Sequence, residues 1–245
     1  MRHWLVIIVC LTILGIASHS IAQHGNKVAV VRGDLSGSAH IMLKNLGEKV
    51  DDYPQNADLW GKAKDYWCIW VGWPNSNVTV RNDFKKNGDT FKAWLKAGGA
   101  FVATTASSDI HEIYELLPGK VRTHNQHSSR EQAHVVAKNH KIVNEPNDIT
   151  DDAYYAGWAW TAGDNYAEWE GYIVITTEDK AGKMPSWLVH ESMPIVVTTI
   201  QPTWSGHMHP KMVENIWHYV KTFKATSVAS QGKLASTWGD VKRLY

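Results

Sequence analysis

Eight polar or aromatic residues stand where this chain can bind a ligand or substrate. Six of them lie at or just beyond the carboxyl end of a predicted strand, and two lie in an acidic, aromatic stretch. Carboxylate, hydroxyl and imidazole groups bind polar ligands through hydrogen bonds, and aromatic rings cover the apolar faces of sugars. We therefore predict a site for a carbohydrate or a related polar small molecule, formed by Asp34, Trp73, Thr104, Thr105, Asp152, Tyr154, His207 and His209.

Acid–base chemistry is an alternative for part of the same set. His207 can exchange a proton near neutral pH, and Asp152 can orient its ring or act as the second group of a hydrolase, with or without a metal. The five histidines between positions 111 and 140 lack the H-x-x-x-H spacing of a local metal site. We predict no metal from spacing, while a site built from separate loops stays open; the sequence identifies no cofactor.

A helix, a glycine turn and an apolar run stand in the middle of the chain and position these residues. Phe91, Trp94 and Leu95 recur at helical spacing, and Gly98-Gly99 ends the helix. The uncharged run Ala100–Ala103 is typical of a strand that is covered on both faces, as in a parallel sheet between helices. Ligands bind beyond the carboxyl ends of such strands, so the turn that follows marks the predicted edge of the site.

Hydrophobic patterning predicts further elements on both sides of this stretch. Apolar or β-branched runs predict strands at Lys27–Val31, Asp65–Val71, Tyr172–Thr177, Ser186–His190 and Ile195–Thr199. Apolar spacing predicts an amphipathic helix over Lys211–Phe223, and the Trp-rich stretch Gly157–Trp169 is predicted to be a surface loop. Together the elements predict one α/β domain with a mostly parallel central sheet.

The first residues have the composition of an export signal. The apolar run Trp4–Ala17 follows Met1-Arg2-His3, and Ser20-Ile21-Ala22 offers small residues where signal peptidase cleaves. The run is shorter than the ~20 residues that span a bilayer, which argues against an anchor. We predict a cleaved signal peptide over 1–22, an α/β domain over 23–225 and a polar tail over 226–245, in a protein exported to the periplasm or the extracellular space.

Charge and cysteine content limit the partners and the chemistry. The chain has 25 Lys and Arg residues and 24 Asp and Glu residues, and loss of Arg2 with the signal leaves 24 of each. This balance argues against nucleic acid and against an anionic membrane surface as partners, and the oligomeric state is not predicted. Cys68 is then the one remaining cysteine, and its place inside an apolar strand predicts a buried, unreactive thiol.

Three short motifs stand in the same order as in a known family. They are the glycine-rich strand start Gly98–Val102, the acidic, aromatic stretch Asp151–Tyr154 and the late Gly206-His207 turn. With these motifs and this order of elements, Lys27–Lys224 resembles the trehalose-utilisation (ThuA-like) domains, a branch of the class I glutamine amidotransferase-like superfamily. The resemblance implies a three-layer, flavodoxin-like domain with a mostly parallel sheet.

The resemblance does not extend to glutaminase chemistry. Amidotransferases of this superfamily carry a nucleophilic cysteine on the turn after the central strand, where this chain has Ala103–Ser108. We therefore expect no glutaminase activity, and the hydroxyls of this turn lack the G-x-S-x-G context of a serine nucleophile. A third possibility is a non-catalytic interaction domain that meets a protein partner through the Trp-rich stretch Gly157–Trp169.

Overall fold

The computed structural model describes residues 24–32, 38–53, 59–72, 78–104, 111–124, 132–155, 165–203 and 208–224. The strands are β1 (Lys27–Val31), β2 (Val50–Tyr53), β3 (Tyr66–Val71), β4 (Ala100–Thr104), β5 (Lys120–His124), β6 (His134–Val135), β7 (Asn165–Glu170), β8 (Tyr172–Thr177), β9 (Pro185–His190) and β10 (Ile195–Thr198). The helices are α1 (Ala39–Asn45), α2 (Val78–Lys86), α3 (Gly88–Lys96), α4 (His111–Tyr114), α5 (Lys141–Asn144) and α6 (210–224), with 3-10 helices at Trp60–Asp65 and Asp152–Tyr155.

One large, mostly parallel sheet organises the described chain. Its strand order is β2-β1-β3-β4-β10-β9-β8-β6, and β5 pairs with β7 in a separate two-stranded sheet. The strands from β2 to β10 pair in parallel, whereas β9 is antiparallel to β10, β8 to β9 and β6 to β8. Two successive reversals give β8 the direction of β10, so only β9 and β6 oppose the rest of this sheet.

Alternate residues of the central strands join two separate apolar clusters. Val28 and Val30 of β1 belong to the cluster that contains residues of α1 and α6. Ala29 and Val31, the residues between and after them, belong to the cluster that contains residues of α2 and α3. Because successive side chains of a strand point to opposite faces, helices cover both faces of the sheet. All six residues of β3 are buried, which explains its uninterrupted apolar sequence.

The structure confirms the predicted central stretch. Phe91, Trp94 and Leu95 are buried on α3, and Gly98 has a φ of 95°, the left-handed conformation that ends a helix. The five predicted flanking strands are β1, β3, β8, β9 and β10, and the predicted last helix is α6, each with bounds that differ by one or two residues.

The predicted surface loop Gly157–Trp169 is wrong for its second part. Residues Asn165–Glu170 form β7, which pairs antiparallel with β5, and Tyr166 is buried there. Two-stranded pairing of a short, charged, aromatic segment gives little periodic signal in sequence, and β5 itself carries three polar residues. Neither β5 nor β2 was predicted. Residues 157–164 of the predicted loop lie outside the described residues.

Cys68 is fully buried in β3 as a free thiol, which confirms the prediction of its burial. The predicted signal peptide and the predicted polar tail lie outside the described residues. Among the helices that the structure describes, none has the length and apolar character needed to cross a membrane.

Candidate functional site

The carboxyl ends of the parallel strands define one edge of the large sheet, called the carboxyl edge below. Strand pairing sets a row of neighbours along it: Thr104 of β4 lies opposite Thr198 of β10, and Thr198 lies opposite Trp187 of β9. Farther along, Thr177 of β8 lies opposite His134 of β6. The antiparallel strands β9 and β6 begin at this edge, so their first residues join the last residues of the parallel strands.

Buried polar side chains are concentrated at the carboxyl edge. Each has at most 6% of its surface exposed: Thr104, Thr176, Thr177, Glu178, Ser186, Thr198, Thr199 and Gln201. Several hydroxyls bond one another or the backbone. The Oγ1 of Thr176 lies 2.9 Å from the Oγ of Ser186, and the hydroxyl of Thr198 donates to the Ser186 carbonyl at 3.0 Å. The edge is therefore an ordered polar surface built on rigid strands.

Gln201 and Glu178 stand out within this set. The Oε1 atom of Gln201 is buried and accepts no hydrogen bond from any residue that the structure describes. Burial of such an oxygen without a donor costs about 1–3 kcal/mol, so a bound donor there is favourable. Glu178 is fully buried directly after β8, and its backbone N–H donates to the Met184 carbonyl at 2.8 Å.

Asp152 lies at the far end of the same edge, at the start of a 3-10 helix. Its Oδ2 is 2.9 Å from Nδ1 of His134, and its Oδ1 accepts the backbone N–H of Val135 at 2.9 Å. The side-chain amide of Gln132 donates to its backbone carbonyl. Burial raises the pKa of Asp152, but the bonds from His134 and Val135 outweigh this effect and hold the pKa below its usual value.

Tyr154 and His209 lie next to this carboxylate. Their rings meet edge to face, with centroids 5.4 Å apart. Burial raises the pKa of Tyr154 to about 12, against a smaller opposite effect of the Met212 backbone N–H. The backbone N–H of His209 donates to the Pro202 carbonyl at 2.9 Å, which ties the start of α6 to the segment after β10. This part of the edge therefore combines a carboxylate, two imidazoles and a phenol.

The structure brings together three of the eight predicted site residues, namely Asp152, Tyr154 and His209. Thr104 lies at the carboxyl edge as predicted, but its side chain is buried and its Oγ1 accepts the indole N–H of Trp70 at 3.1 Å. Four inter-strand steps separate β4 from β6, about 19 Å at the usual strand spacing, so Thr104 does not touch Asp152. The other predicted residues lie outside the described residues: Asp34, Trp73, Thr105 and His207.

Sequence reasoning missed three residues of this edge. Glu178 directly follows the predicted strand Tyr172–Thr177, and Gln201 follows Ile195–Thr199, so the rule that selected Thr104 also selects them. His134 gives no such signal, because its place beside Asp152 depends on the pairing of β6 with β8. Within the described ranges, no three His, Cys, Asp or Glu side chains gather into a group that could hold a metal ion.

The strand order and direction define the class of fold. The parallel order β2-β1-β3-β4-β10 is that of flavodoxin-like sheets, in which ligands bind at the carboxyl edge. The chain has the α/β fold of the class I glutamine amidotransferases, as solved structures show.

Two of these structures come from thermophilic microorganisms. A protein described as a GMP synthase component from Thermoplasma acidophilum has a TM-score of 0.56 at 10% identity, covering 83% of this chain and 98% of that chain. A glutamine amidotransferase from Thermotoga maritima has a TM-score of 0.47 at 10% identity, covering 85% and 86%. No family model and no curated protein matches the sequence. At these identities the likeness concerns the fold alone.

Proposed function

We propose that this chain binds a carbohydrate or a related polar small molecule at the carboxyl edge. The observation that carries the proposal is the buried Oε1 of Gln201, which has no donor among the described residues at the edge where this fold binds ligands. A ligand hydroxyl is a suitable donor for this oxygen, because it replaces the hydrogen bond that Oε1 makes with water in the unfolded chain.

The chemistry of the edge favours a neutral, hydroxyl-rich ligand. Ser and Thr hydroxyls both donate and accept, and Glu178 and Asp152 accept, which matches groups that both donate and accept. Two carboxylates at one edge repel a phosphate or carboxylate ligand. Asp34, Trp73, Thr105 and His207, which lie at or just past strand ends, belong to the same proposed pocket.

The finer family assignment is part of the same proposal. We place the chain in the ThuA-like branch, with three layers, because Gly98–Val102 spans the start of β4 and Asp151–Tyr154 leads into a 3-10 helix at the carboxyl edge. We expect no glutaminase activity, since Cys68 is buried within β3 rather than placed on a turn, and burial raises the pKa of its thiol.

Export is also proposed, on the amino-terminal residues alone. The apolar run Trp4–Ala17 before Ser20-Ile21-Ala22 supports cleavage before Gln23. The intact mass of protein recovered from outside the cytoplasm tests it. A mass that still includes residues 1–22 contradicts cleavage.

A glycan-binding assay tests the main proposal. Neutral mono- and disaccharides are screened by their effect on the melting temperature of the protein, since a specific ligand stabilises the native state by mass action. Sugars that bind are then titrated against Glu178→Gln, with Glu191→Gln on an exposed turn as the matched control. We expect a loss of affinity of at least tenfold in the first variant only. No response to any sugar, or equal losses in both variants, contradicts the proposal.

Acid–base hydrolysis is a second candidate, because Asp152 contacts an imidazole. The sequence pairs Asp152 with His207, whereas the described contact is with His134 at 2.9 Å. A carboxylate on Nδ1 orients the ring and leaves Nε2 for proton transfer. His134→Gln should then abolish release of nitrophenol from nitrophenyl glycosides while sugar affinity stays within about twofold. Unchanged hydrolysis in this variant excludes the histidine from the reaction.

A further inference from the structure

An apolar pocket opens at the other edge of the sheet, beside the amino ends of β4 and β10. Its volume is about 320 Å³, and its carbon walls are Leu95, Leu116, Leu117, Pro118 and Met193. The last turn of α3, the segment after α4 and the turn between β9 and β10 supply these residues. Small-molecule pockets usually measure ~300–1,000 Å³, so the volume suits a small ligand.

Hydrogen bonds fix the walls of this pocket. The carbonyl of Pro118 accepts the hydroxyl of Tyr172 at 3.1 Å. The Pro194 carbonyl, next to Met193 in the chain, accepts the backbone N–H of Phe101 at 2.9 Å. Leu116 and Met193 pack on the cluster of α2 and α3 yet stay only partly buried, so apolar surface lines the opening. The pocket is therefore preformed and not fully covered by its own chain.

Two cations stand at the rim. Lys92 and Lys96 complete the lining, lie one turn apart on α3 and are exposed. Within the described part of the chain neither forms an ion pair, and no carboxylate lines the pocket. Lys96 also lies in the last turn of α3, where a cation stabilises the helix dipole, but Lys92 lies a full turn earlier.

Cations above an apolar cavity complement a molecule with an anionic head and an aliphatic tail. We propose that this pocket binds a medium-chain aliphatic carboxylate, with its head between Lys92 and Lys96 and its tail between Leu116 and Met193. The contacts are a charge-assisted hydrogen bond at the head and removal of methylene groups from water along the tail. The site is separate from the proposed carbohydrate site, since it lies at the opposite edge of the sheet.

Titration of the full chain with decanoate tests this inference. We expect saturable binding by calorimetry and a rise in melting temperature, and no such rise with decyltrimethylammonium at the same concentration. Lys92→Gln with Lys96→Gln should lower decanoate affinity at least tenfold. The matched control is Lys85→Gln with Lys86→Gln, exposed lysines of the last turn of α2, which should leave affinity unchanged.

Two further variants keep the result interpretable. Met193→Trp should fill the partly open pocket and block decanoate without lowering the melting temperature by more than a few degrees. Asp152→Asn should not affect decanoate, which separates this site from the carbohydrate site. Equal effects of decanoate and decyltrimethylammonium, or decanoate affinity unchanged by loss of both rim lysines, overturn the proposal. A change of sedimentation coefficient in Met193→Trp without decanoate also overturns it, since the pocket is then an interface between copies of this chain.

Discussion

The Nδ1 atom of His134 lies 2.9 Å from Oδ2 of Asp152, although 18 residues separate the two in sequence. The second oxygen of Asp152 accepts the backbone N–H of Val135, so one carboxylate holds the start of β6 through two bonds. This contact joins the last strand of the sheet to the 3-10 helix that carries Tyr154. The carboxylate therefore has a structural role in addition to any role in binding.

Asp152→Asn should lower stability at pH 5 and have a smaller effect in acid. Folding lowers the pKa of Asp152 below the value of about 3.9 in an unfolded chain, so the carboxylate stabilises the fold above that pH. This contribution is lost as pH falls through the lowered pKa. We expect a gap of no more than about 1 kcal/mol at pH 5, because the side chain is partly exposed, and a narrowing gap below pH ~3.

Thermal unfolding of both proteins between pH 2 and pH 5 measures this gap. Asp151→Asn, a change at the neighbouring exposed carboxylate, controls for the loss of one negative charge. A gap for Asp152→Asn that stays constant down to pH 2 would show that the charge of this carboxylate does not contribute.

Gln201→Met should raise the melting temperature by a few degrees and abolish sugar binding. The substitution removes a buried oxygen that has no donor among the described residues and keeps a similar side-chain shape. Removal of an unsatisfied buried polar group gains about 1–3 kcal/mol. Gln201→Glu is the matched control, because it keeps the shape and buries a charge, and it should lower stability. A fall of several degrees in Gln201→Met would mean that the oxygen is bonded by residues outside the described ranges.

The sequence predicts the central strands well because they carry strong local signals. β3 and β4 are apolar throughout, since helices cover both faces, and α3 shows its buried face through Phe91, Trp94 and Leu95. β7 has no such pattern, because only one short partner strand supports it. The site divides in the same way: strand ends predict Thr104, whereas the neighbours of Asp152 depend on the order of strands that are distant in sequence.

Cys68 should not react with a thiol reagent in the native protein. It is fully buried in β3, and burial raises the pKa of its thiol, so almost no thiolate forms near neutral pH. Protein that lacks residues 1–22 contains this single thiol, which makes the signal unambiguous. We expect labelling by a chromogenic disulfide to require denaturant and to follow unfolding. Rapid stoichiometric labelling in buffer would show that β3 opens locally or that the thiol is accessible.

Gly99→Ala should destabilise the fold more than other glycine substitutions do. A Cβ at position 99 would lie 2.4 Å from the Cε2 atom of Trp94, whose indole N–H donates to the Tyr66 carbonyl at 2.9 Å. The ring cannot move without losing that bond, so we expect a loss of about 2–3 kcal/mol. Gly47→Ala is the matched control, since Gly47 has a φ of 84° with nothing within 4 Å, and backbone strain alone should cost about 1 kcal/mol. Denaturant titration measures both losses, and Trp94→Phe should reduce the loss from Gly99→Ala, because a smaller ring leaves room for the methyl group. Equal losses at positions 47 and 99 would contradict the contact as the cause.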